Sequence, residues 1–89
     1  MAHVTFPDVI QRHITAPPAD ADGSTVREVL EQVFQQNQPL RGYLLDDQGG
    51  LRKHLALFVD GEQVKDRQAL TDPVGADSRV HVLQALSGG

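Results

Sequence analysis

Cysteine is absent from the 89-residue sequence. Without a thiol, the chain can form no disulfide, thiolate metal site, iron–sulfur cluster or cysteine persulfide of its own. Basic residues are also few, because eight Lys and Arg stand against twelve Asp and Glu, which gives a net charge of −4. Arg52, Lys53 and His54 form the only basic cluster. Since charge-driven nucleic-acid binding needs a positive face, we expect no nucleic-acid partner.

Long hydrophobic runs are lacking too. No apolar stretch approaches the length that spans a membrane, and the first residues do not form a charged region followed by an apolar one. We therefore expect no membrane partner and a cytoplasmic protein. Hydrophobic residues make up 39% and charged residues 22% of the chain, which is the composition of a folded domain. The length predicts a single small domain, over residues 1–86.

The clearest local pattern is an amphipathic helix over residues 25–37, TVREVLEQVFQQN. Its apolar residues recur at spacings of three and four, which puts them on one face of a helix. Thr25 and Glu28 have the spacing of a capping box, in which the hydroxyl and the carboxylate satisfy free backbone N–H groups. We assign this face to the core and give it no chemistry. Its members are Val26, Val29, Leu30, Val33 and Phe34.

Strand patterns flank this helix. Residues 3–6 predict a first strand, residues 10–15 a short edge strand that ends at Pro17 and Pro18, and residues 52–59 a third strand. Asp60 and Gly61 form the dipeptide favoured in tight hairpins, followed by a brief return strand through Val64. Residues 78–86 alternate as the last strand. Residues 19–24 are predicted as a loop and residues 40–45 as a short turn of helix.

The order of these elements favours an α+β fold in which one main helix packs on a mixed sheet of four to five strands. Placing the first and last strands side by side, with the helix crossing between the hairpins, gives a β-grasp (ubiquitin-like) arrangement. The chain then ends on Ser87, Gly88 and Gly89, directly after the last strand. We expect residues 87–89 to be a flexible tail.

This order, joined to a terminal SGG, resembles the ubiquitin-like sulfur carriers of the MoaD/ThiS group, which include the molybdopterin synthase small subunit and the thiamine-pathway carrier. The resemblance covers essentially the whole chain and includes GSTVREVL, LFVDGE and DPVGADSRVHV. It implies a carrier and not an enzyme, with no bound cofactor. An E1-like adenylyltransferase would activate the Gly89 carboxylate with ATP. A persulfide sulfur donor would convert it to a thiocarboxylate, and an acceptor synthase subunit would receive the sulfur.

The composition of the tail agrees with this chemistry. A carboxylate is a poor electrophile until it gains a leaving group in a site that supplies phosphate and metal. Glycines have no Cβ to collide with the walls of a narrow channel. Extended, residues 87–89 reach roughly 10 Å, which is enough to enter a partner's cleft.

Strand alternation predicts a docking surface for such partners. If Leu57 and Val82 face the helix, then Phe58, His81 and Leu83 lie on the opposite, open face of the sheet. Exposed apolar groups at the centre of a sheet often mark an interface. The alternative is that residues 40–50 or a second copy of the chain covers Phe58.

Other candidate sites carry less weight. The histidines His3, His13, His54 and His81 lack the i, i+4 helical spacing of a zinc motif, so we predict no metal site. Asp46, Asp47, Asp60 and Glu62 lie beside glycines, where turn formation is the expected role of aspartate. Ser87 has no nucleophile-elbow sequence around it.

Two further functions fit the sequence. A ubiquitin-like modifier would join Gly89 to lysines of target proteins by an isopeptide bond, after the same activation. An interaction domain with no reactive terminus would need neither glycine. The acceptor pathway stays open among molybdenum cofactor, thiamine, amino-acid and secondary-metabolite routes.

Overall fold

A mixed sheet crossed by one main helix forms the part of the chain that the computed structural model describes, residues 1–85. Its elements in chain order are β1 (Ala2–Thr5), α1 (Asp8–Gln11), β2 (Ala19–Ala21), α2 (Val26–Gln36), α3 (Gln38–Leu44), β3 (Leu55–Val59), β4 (Glu62–Gln63) and β5 (Arg79–Gln84). The predicted α+β class and β-grasp arrangement are confirmed. No helix within residues 1–85 is both long and apolar enough to cross a membrane.

The last strand lies at the centre of the sheet, whose order is β2-β1-β5-β3-β4. β5 pairs in parallel with β1, with Thr5 opposite His81, and antiparallel with β3, with Phe58 opposite the same His81. The outer strands pair antiparallel, β2 with β1 and β4 with β3. The β1–β2 pair is therefore joined to the β3–β4 pair through β5.

Helix α2 begins where its sequence predicts. Thr25 is the N-cap, and its hydroxyl accepts a hydrogen bond from the Glu28 N–H at 3.2 Å. The Glu28 carboxylate reaches back but accepts from the N–H and hydroxyl of Ser24, at 2.8 and 2.9 Å. The Thr25 half of the predicted capping box is therefore present, whereas the Glu28 carboxylate bonds one residue ahead of the cap. The Ser24 N–H first and the Ser24 hydroxyl second lower the pKa of Glu28.

The apolar face of α2 packs on one face of the sheet. All five residues of the predicted helical face are buried, as are the sheet residues Val4, Leu55, Leu57, Val80 and Val82. Burying a side chain of this size stabilises a fold by about 1.5–3 kcal/mol relative to leaving it exposed. The predicted alternation of β3 and β5 is correct, so the opposite face of these strands is the open one.

The segment between β4 and β5 closes the N-terminal end of α2. The N–H groups of Val26 and Arg27 donate to the carbonyls of Asp72 and Leu70, at 3.0 and 2.9 Å. Leu70 adopts a left-handed φ of 58° while its side chain is fully buried. The free donors of the first helical turn are therefore satisfied by the protein itself.

Arg27 ties this segment to the loop that follows α3. Its guanidinium donates to the carbonyls of Gly49, Gln68 and Ala69, at 2.6, 3.1 and 3.2 Å. One side chain on α2 thus fixes two loops on the helix side of the sheet.

Three local predictions were wrong. Residues 10–15 form no strand, because Pro7 starts helix α1 and its carbonyl accepts from the N–H groups of Ile10 and Gln11. The edge strand is β2, which follows the two prolines and lies in the predicted loop. The third strand also begins later than predicted, at Leu55, because Lys53 and His54 form a turn.

Asp66 organises the segment between β4 and β5. Its carboxylate accepts from the Thr71 hydroxyl at 2.6 Å, from the Ala69 N–H at 2.9 Å, and from the N–H groups of Thr71 and Gln68, both at 3.2 Å. These donors, the Thr71 hydroxyl first, lower the pKa of Asp66 from 3.8 to about 2.

We expect this carboxylate to make stability depend on pH. Since the pKa of Asp66 is lower in the folded chain, its contribution is complete above about pH 4 and is lost as the pH falls through about 2. In the Asp66→Asn variant, the urea midpoint should be lower at pH 6 and should fall less between pH 4 and pH 2. The exposed Asp47→Asn serves as the control. Identical pH profiles for Asp66→Asn and wild type would contradict this role.

Candidate functional site

The predicted reactive end of the chain, Ser87 with Gly88 and Gly89, lies outside the residues that the structure describes, as does the predicted domain boundary after residue 86. The structure does describe the strand that precedes this end. Gln84 pairs with Leu55, and the Ala85 N–H donates to the His54 carbonyl at 2.8 Å. The chain is therefore held in the sheet through residue 85, four residues before its last carboxylate.

The predicted docking residues lie together on the open face of the sheet. Phe58 and His81 are directly opposite each other on β3 and β5, and both are half-buried. Leu83 is 46% exposed and pairs with Ala56 one step closer to the end of β5. The three predicted residues thus form one continuous surface that leads towards the exit of the tail.

Thr5 completes the middle row of this face. It lies opposite His81 on β1, and its Oγ1 shares a hydrogen bond of 2.6 Å with Nδ1 of His81. The imidazole is therefore held between a hydroxyl and an aromatic ring. Sequence alternation alone did not identify Thr5, because its place beside His81 depends on a pairing between residues 76 positions apart.

The far end of the open face is polar. Asp20, His3 and Arg79 form a row across β2, β1 and β5. The His3 ring bonds to the Asp20 carboxylate, and both side chains are more than half exposed. The face therefore changes from charged at the start of β5 to apolar where β5 ends. We name the three residues Phe58, His81 and Leu83 the docking face, after the role that the sequence predicts for them.

Residues 40–50 do not provide the alternative cover for Phe58. Leu40, Leu44 and Leu45 are buried in the same core cluster as the apolar face of α2, and the loop that follows them is bound by Arg27. Phe58 belongs neither to this cluster nor to the half-buried residues packed against it. The segment therefore runs on the helix side of the sheet.

The candidate acidic residues have structural partners. Asp60 accepts from the Ser78 hydroxyl at 2.7 Å and from the Arg79 N–H at 2.9 Å. The pKa of Asp60 is lowered by the Arg79 N–H first and the Ser78 hydroxyl second. Asp46 accepts from the N–H groups of Gln48 and Gly50, at 2.9 and 3.0 Å. The turn role predicted for these two carboxylates is the one they have.

The Asp60-Gly61 hairpin also has the predicted geometry. Asp60 and Gly61 both adopt positive φ values, 51° and 87°. This pair of angles is that of the tight turn that matches the twist of a two-stranded ribbon. His13 and His54 line one depression, and residues 1–85 hold no group of three or more His, Asp or Glu side chains placed to bind a metal ion.

Solved structures resemble this chain over its whole length. A chain in the crystal structure of the Amycolatopsis orientalis BexX/CysO complex is 22% identical, with a TM-score of 0.82 and 100% of both chains covered. Mycobacterium tuberculosis CysO is 20% identical, with a TM-score of 0.82 over 97% of this chain and 100% of that one. SAMP1 from Haloferax volcanii, a small archaeal modifier protein, is 20% identical, with a TM-score of 0.75 over 99% and 98%. At these identities the likeness establishes the β-grasp fold.

The sequence itself matches one family. The sequence model of the ThiS family aligns with residues 10–89, which include the docking face and both terminal glycines. A search of curated proteins found no significant match.

The assignment of faces predicts that substitutions of two leucines destabilise the fold to very different extents. Leu57 is 1% and Leu83 is 46% exposed, on opposite faces of neighbouring strands. We expect Leu57→Ala to lower the free energy of unfolding by about 2–5 kcal/mol and Leu83→Ala by less than about 0.5 kcal/mol. Urea denaturation followed by circular dichroism measures both. Equal losses for the two variants would show that the docking face is part of the core.

Proposed function

Because the chain belongs to the ThiS family, we propose that it is a sulfur carrier whose Gly89 carboxylate becomes a thiocarboxylate. The carboxylate attacks the α-phosphorus of ATP in an E1-like adenylyltransferase, and pyrophosphate leaves. The outer sulfur of a persulfide on the donor protein then displaces AMP from the acyl-adenylate and forms an acyl disulfide. A thiol attacks the donor's sulfur in this acyl disulfide, so that the Gly89 thiocarboxylate leaves and the donor is left with a disulfide. The thiocarboxylate later gives its sulfur to a substrate held by an acceptor synthase subunit.

The observation that carries this proposal is the extent of the family match, which runs through Gly88 and Gly89. The position of β5 supports it. Because β5 is paired on both sides, the body of the protein offers a fixed point from which the last four residues depart. A partner that binds the body therefore receives the terminal carboxylate at a defined place.

The chain's own side chains support a carrier role and not a catalytic one. It has no cysteine to hold sulfur, so sulfur must travel on the terminus. The carboxylates of Asp60 and Asp66 are committed to hydrogen bonds within turns and loops. Activation of the terminal carboxylate is therefore assigned to a partner that supplies ATP and a metal ion.

We assign partner binding to the docking face. An apolar surface with a polar rim is the usual composition of a protein interface, and here Phe58 and the exposed Leu83 lie on the same face of neighbouring strands. The solved BexX/CysO structure contains one such fold in complex with a second protein. A partner seated on this face would lie next to the exit of the chain at Ala85.

A second function, conjugation of Gly89 to lysines of target proteins, is supported by the structural likeness to SAMP1, a small archaeal modifier protein. Both functions begin with adenylation and differ in the nucleophile that follows. A sulfur carrier reacts with a sulfur nucleophile, whereas a modifier reacts with a lysine amine of a target protein. Their products therefore differ greatly in mass.

Intact mass spectrometry separates the two functions. After incubation with an E1-like adenylyltransferase, ATP, Mg²⁺ and a sulfide source, we expect the chain to gain about 16 Da, since sulfur replaces one oxygen. Removal of Gly89 alone should abolish this gain, because the remaining terminus is one residue too short to reach the reacting centre. A ladder of conjugates with cell extract would instead favour the modifier. If the mass stays unchanged with an enzyme that does adenylate a known carrier, both the carrier and the modifier function would be contradicted.

The docking face should contribute to activation. We expect Phe58→Ala combined with Leu83→Ala to raise the KM of the adenylyltransferase for this chain about tenfold, as loss of central apolar contacts does at other interfaces. Pyrophosphate release measures the rate, and the exposed Gln35→Ala on α2 is the matched control. A melting curve confirms that the double variant is folded. An unchanged KM in the folded variant would place docking elsewhere.

A further inference from the structure

Positive charge is concentrated at the end of the molecule from which the tail leaves. Residues 8–13 and 52–54 carry Arg12, Arg52 and Lys53 together with His13 and His54. We name these five residues the basic collar. The same two segments contain only Asp8 of the twelve acidic residues, although the whole chain carries a net charge of −4. The rest of the chain carries five basic and eleven acidic residues, so its net charge is negative while that of these two segments is positive.

The sheet places the basic collar beside Ala85, the last residue that the structure describes. The His54 carbonyl accepts from the Ala85 N–H at 2.8 Å, so His54 is the neighbour of the last described residue. β1 runs parallel to β5, so α1, which follows β1, lies at the same end as the end of β5. His13, Arg52 and His54 line one shallow depression of about 330 Å³ together with Val9, Ile10, Gly42 and Tyr43.

Several contacts hold the collar in place. The Arg52 Nε donates to the Gly42 carbonyl at 2.8 Å, and its backbone N–H donates to the Leu44 carbonyl at 3.0 Å. The His13 ring stacks on Tyr43, with ring centroids 5.6 Å apart and planes 17° from parallel. Less side-chain entropy is therefore lost when a partner binds these two residues.

The charges of the collar are not neutralised within the described chain. Among residues 1–85, the ion pairs involve the N-terminus, His3, Arg27 and Arg41, and none involves Arg12, Arg52 or Lys53. The acidic residues nearest in sequence after α3 are Asp46 and Asp47. Asp46 is bound by its own loop, which Arg27 holds on the helix side.

We propose that the basic collar docks on an acidic surface around the opening of the activating enzyme's catalytic cleft, and so directs the tail into it. This inference rests on the proposed function, because it concerns the same partner. A protein with one positive end and a negative remainder is oriented in the field of an acidic surface, so that its positive end arrives first. Here that end is the one that carries the tail.

An extended polyanion fits the collar less well than a protein surface does. A nucleic acid or an anionic membrane presents negative charge over a wide area, and it would repel the rest of the chain, which carries eleven of the twelve acidic residues. An acidic rim around a cleft is local, so it can contact the collar without lying against the rest of the chain.

The test compares two charge variants of equal net charge. Arg12→Gln with Lys53→Gln removes two positive charges from the collar, and Lys65→Gln with Arg41→Gln removes two exposed ones outside both the collar and the open face. We expect the collar variant to associate with an E1-like adenylyltransferase about three- to tenfold more slowly in 20 mM salt, while the control stays within about twofold of wild type. In 0.5 M salt the three proteins should associate at the same rate. Stopped-flow fluorescence gives the rates, and melting curves verify folding.

The outcomes separate this inference from the proposed function. Equal slowing of both variants, or a loss that persists in 0.5 M salt, would overturn the collar while leaving the gain of about 16 Da intact. A wild-type chain that binds with this salt dependence but never gains mass would overturn sulfur carriage and retain the collar. Micromolar binding of the wild type to duplex DNA or to phosphatidylserine vesicles, lost in the collar variant, would reassign the collar to a polyanion.

Discussion

The pairing of the last strand with both the first and the third holds this fold together. β5 is the only link between the β1–β2 pair and the β3–β4 hairpin within the described sheet. Its parallel pairing with β1 joins residues 76 positions apart, such as Thr5 and His81. Long-range pairings of this kind contribute only after most of the chain has been ordered. The sheet is therefore complete only when the end of the chain has taken its place in the centre.

This arrangement also explains how the two faces of the sheet divide their roles. On the helix side, Arg27, Asp66 and the carbonyls of Leu70 and Asp72 satisfy the loops and the start of α2. These polar groups make their hydrogen bonds within the protein, and they hold the loops that lie on that side of the sheet. On the other side, β3 and β5 carry Phe58 and Leu83, which no described segment covers with core packing. The exposed apolar surface thus lies on the strand that leads to the terminus.

Local signals in the sequence predicted those elements whose cause is local. The spacing of Val26 to Phe34, the Thr25 cap and the Asp60-Gly61 turn each act within a few residues, and each is present. Alternation along β3 and β5 also gave the correct faces. The strand predicted for Ile10 to Thr15 is absent, because a short apolar stretch fits a strand or a helical turn equally well. Here Pro7 starts a helix. β2 was missed because its residues, Ala19–Ala21, have no strand propensity and are placed by pairing with β1.

Only part of the candidate site could be predicted from the sequence. The residues of the docking face followed from alternation, but Thr5 and the basic collar did not, because they come together only through the register of β1 with β5 and through the course of α1. The chemistry at Gly89 came from resemblance to a family and not from any local pattern, since two terminal glycines have no conformational signature of their own. That role stays a prediction, and the family match over residues 10–89 supports it.

The two edges of the sheet have a consequence for the behaviour of the protein at high concentration. β2 is three residues long and follows Pro17 and Pro18, while β4 is two residues long and fully exposed. Neither edge is long enough to offer the row of unpaired backbone groups that a neighbouring molecule would need in order to add a strand. The sheet can therefore expose an apolar face to its partners without recruiting further copies of itself into cross-β aggregates.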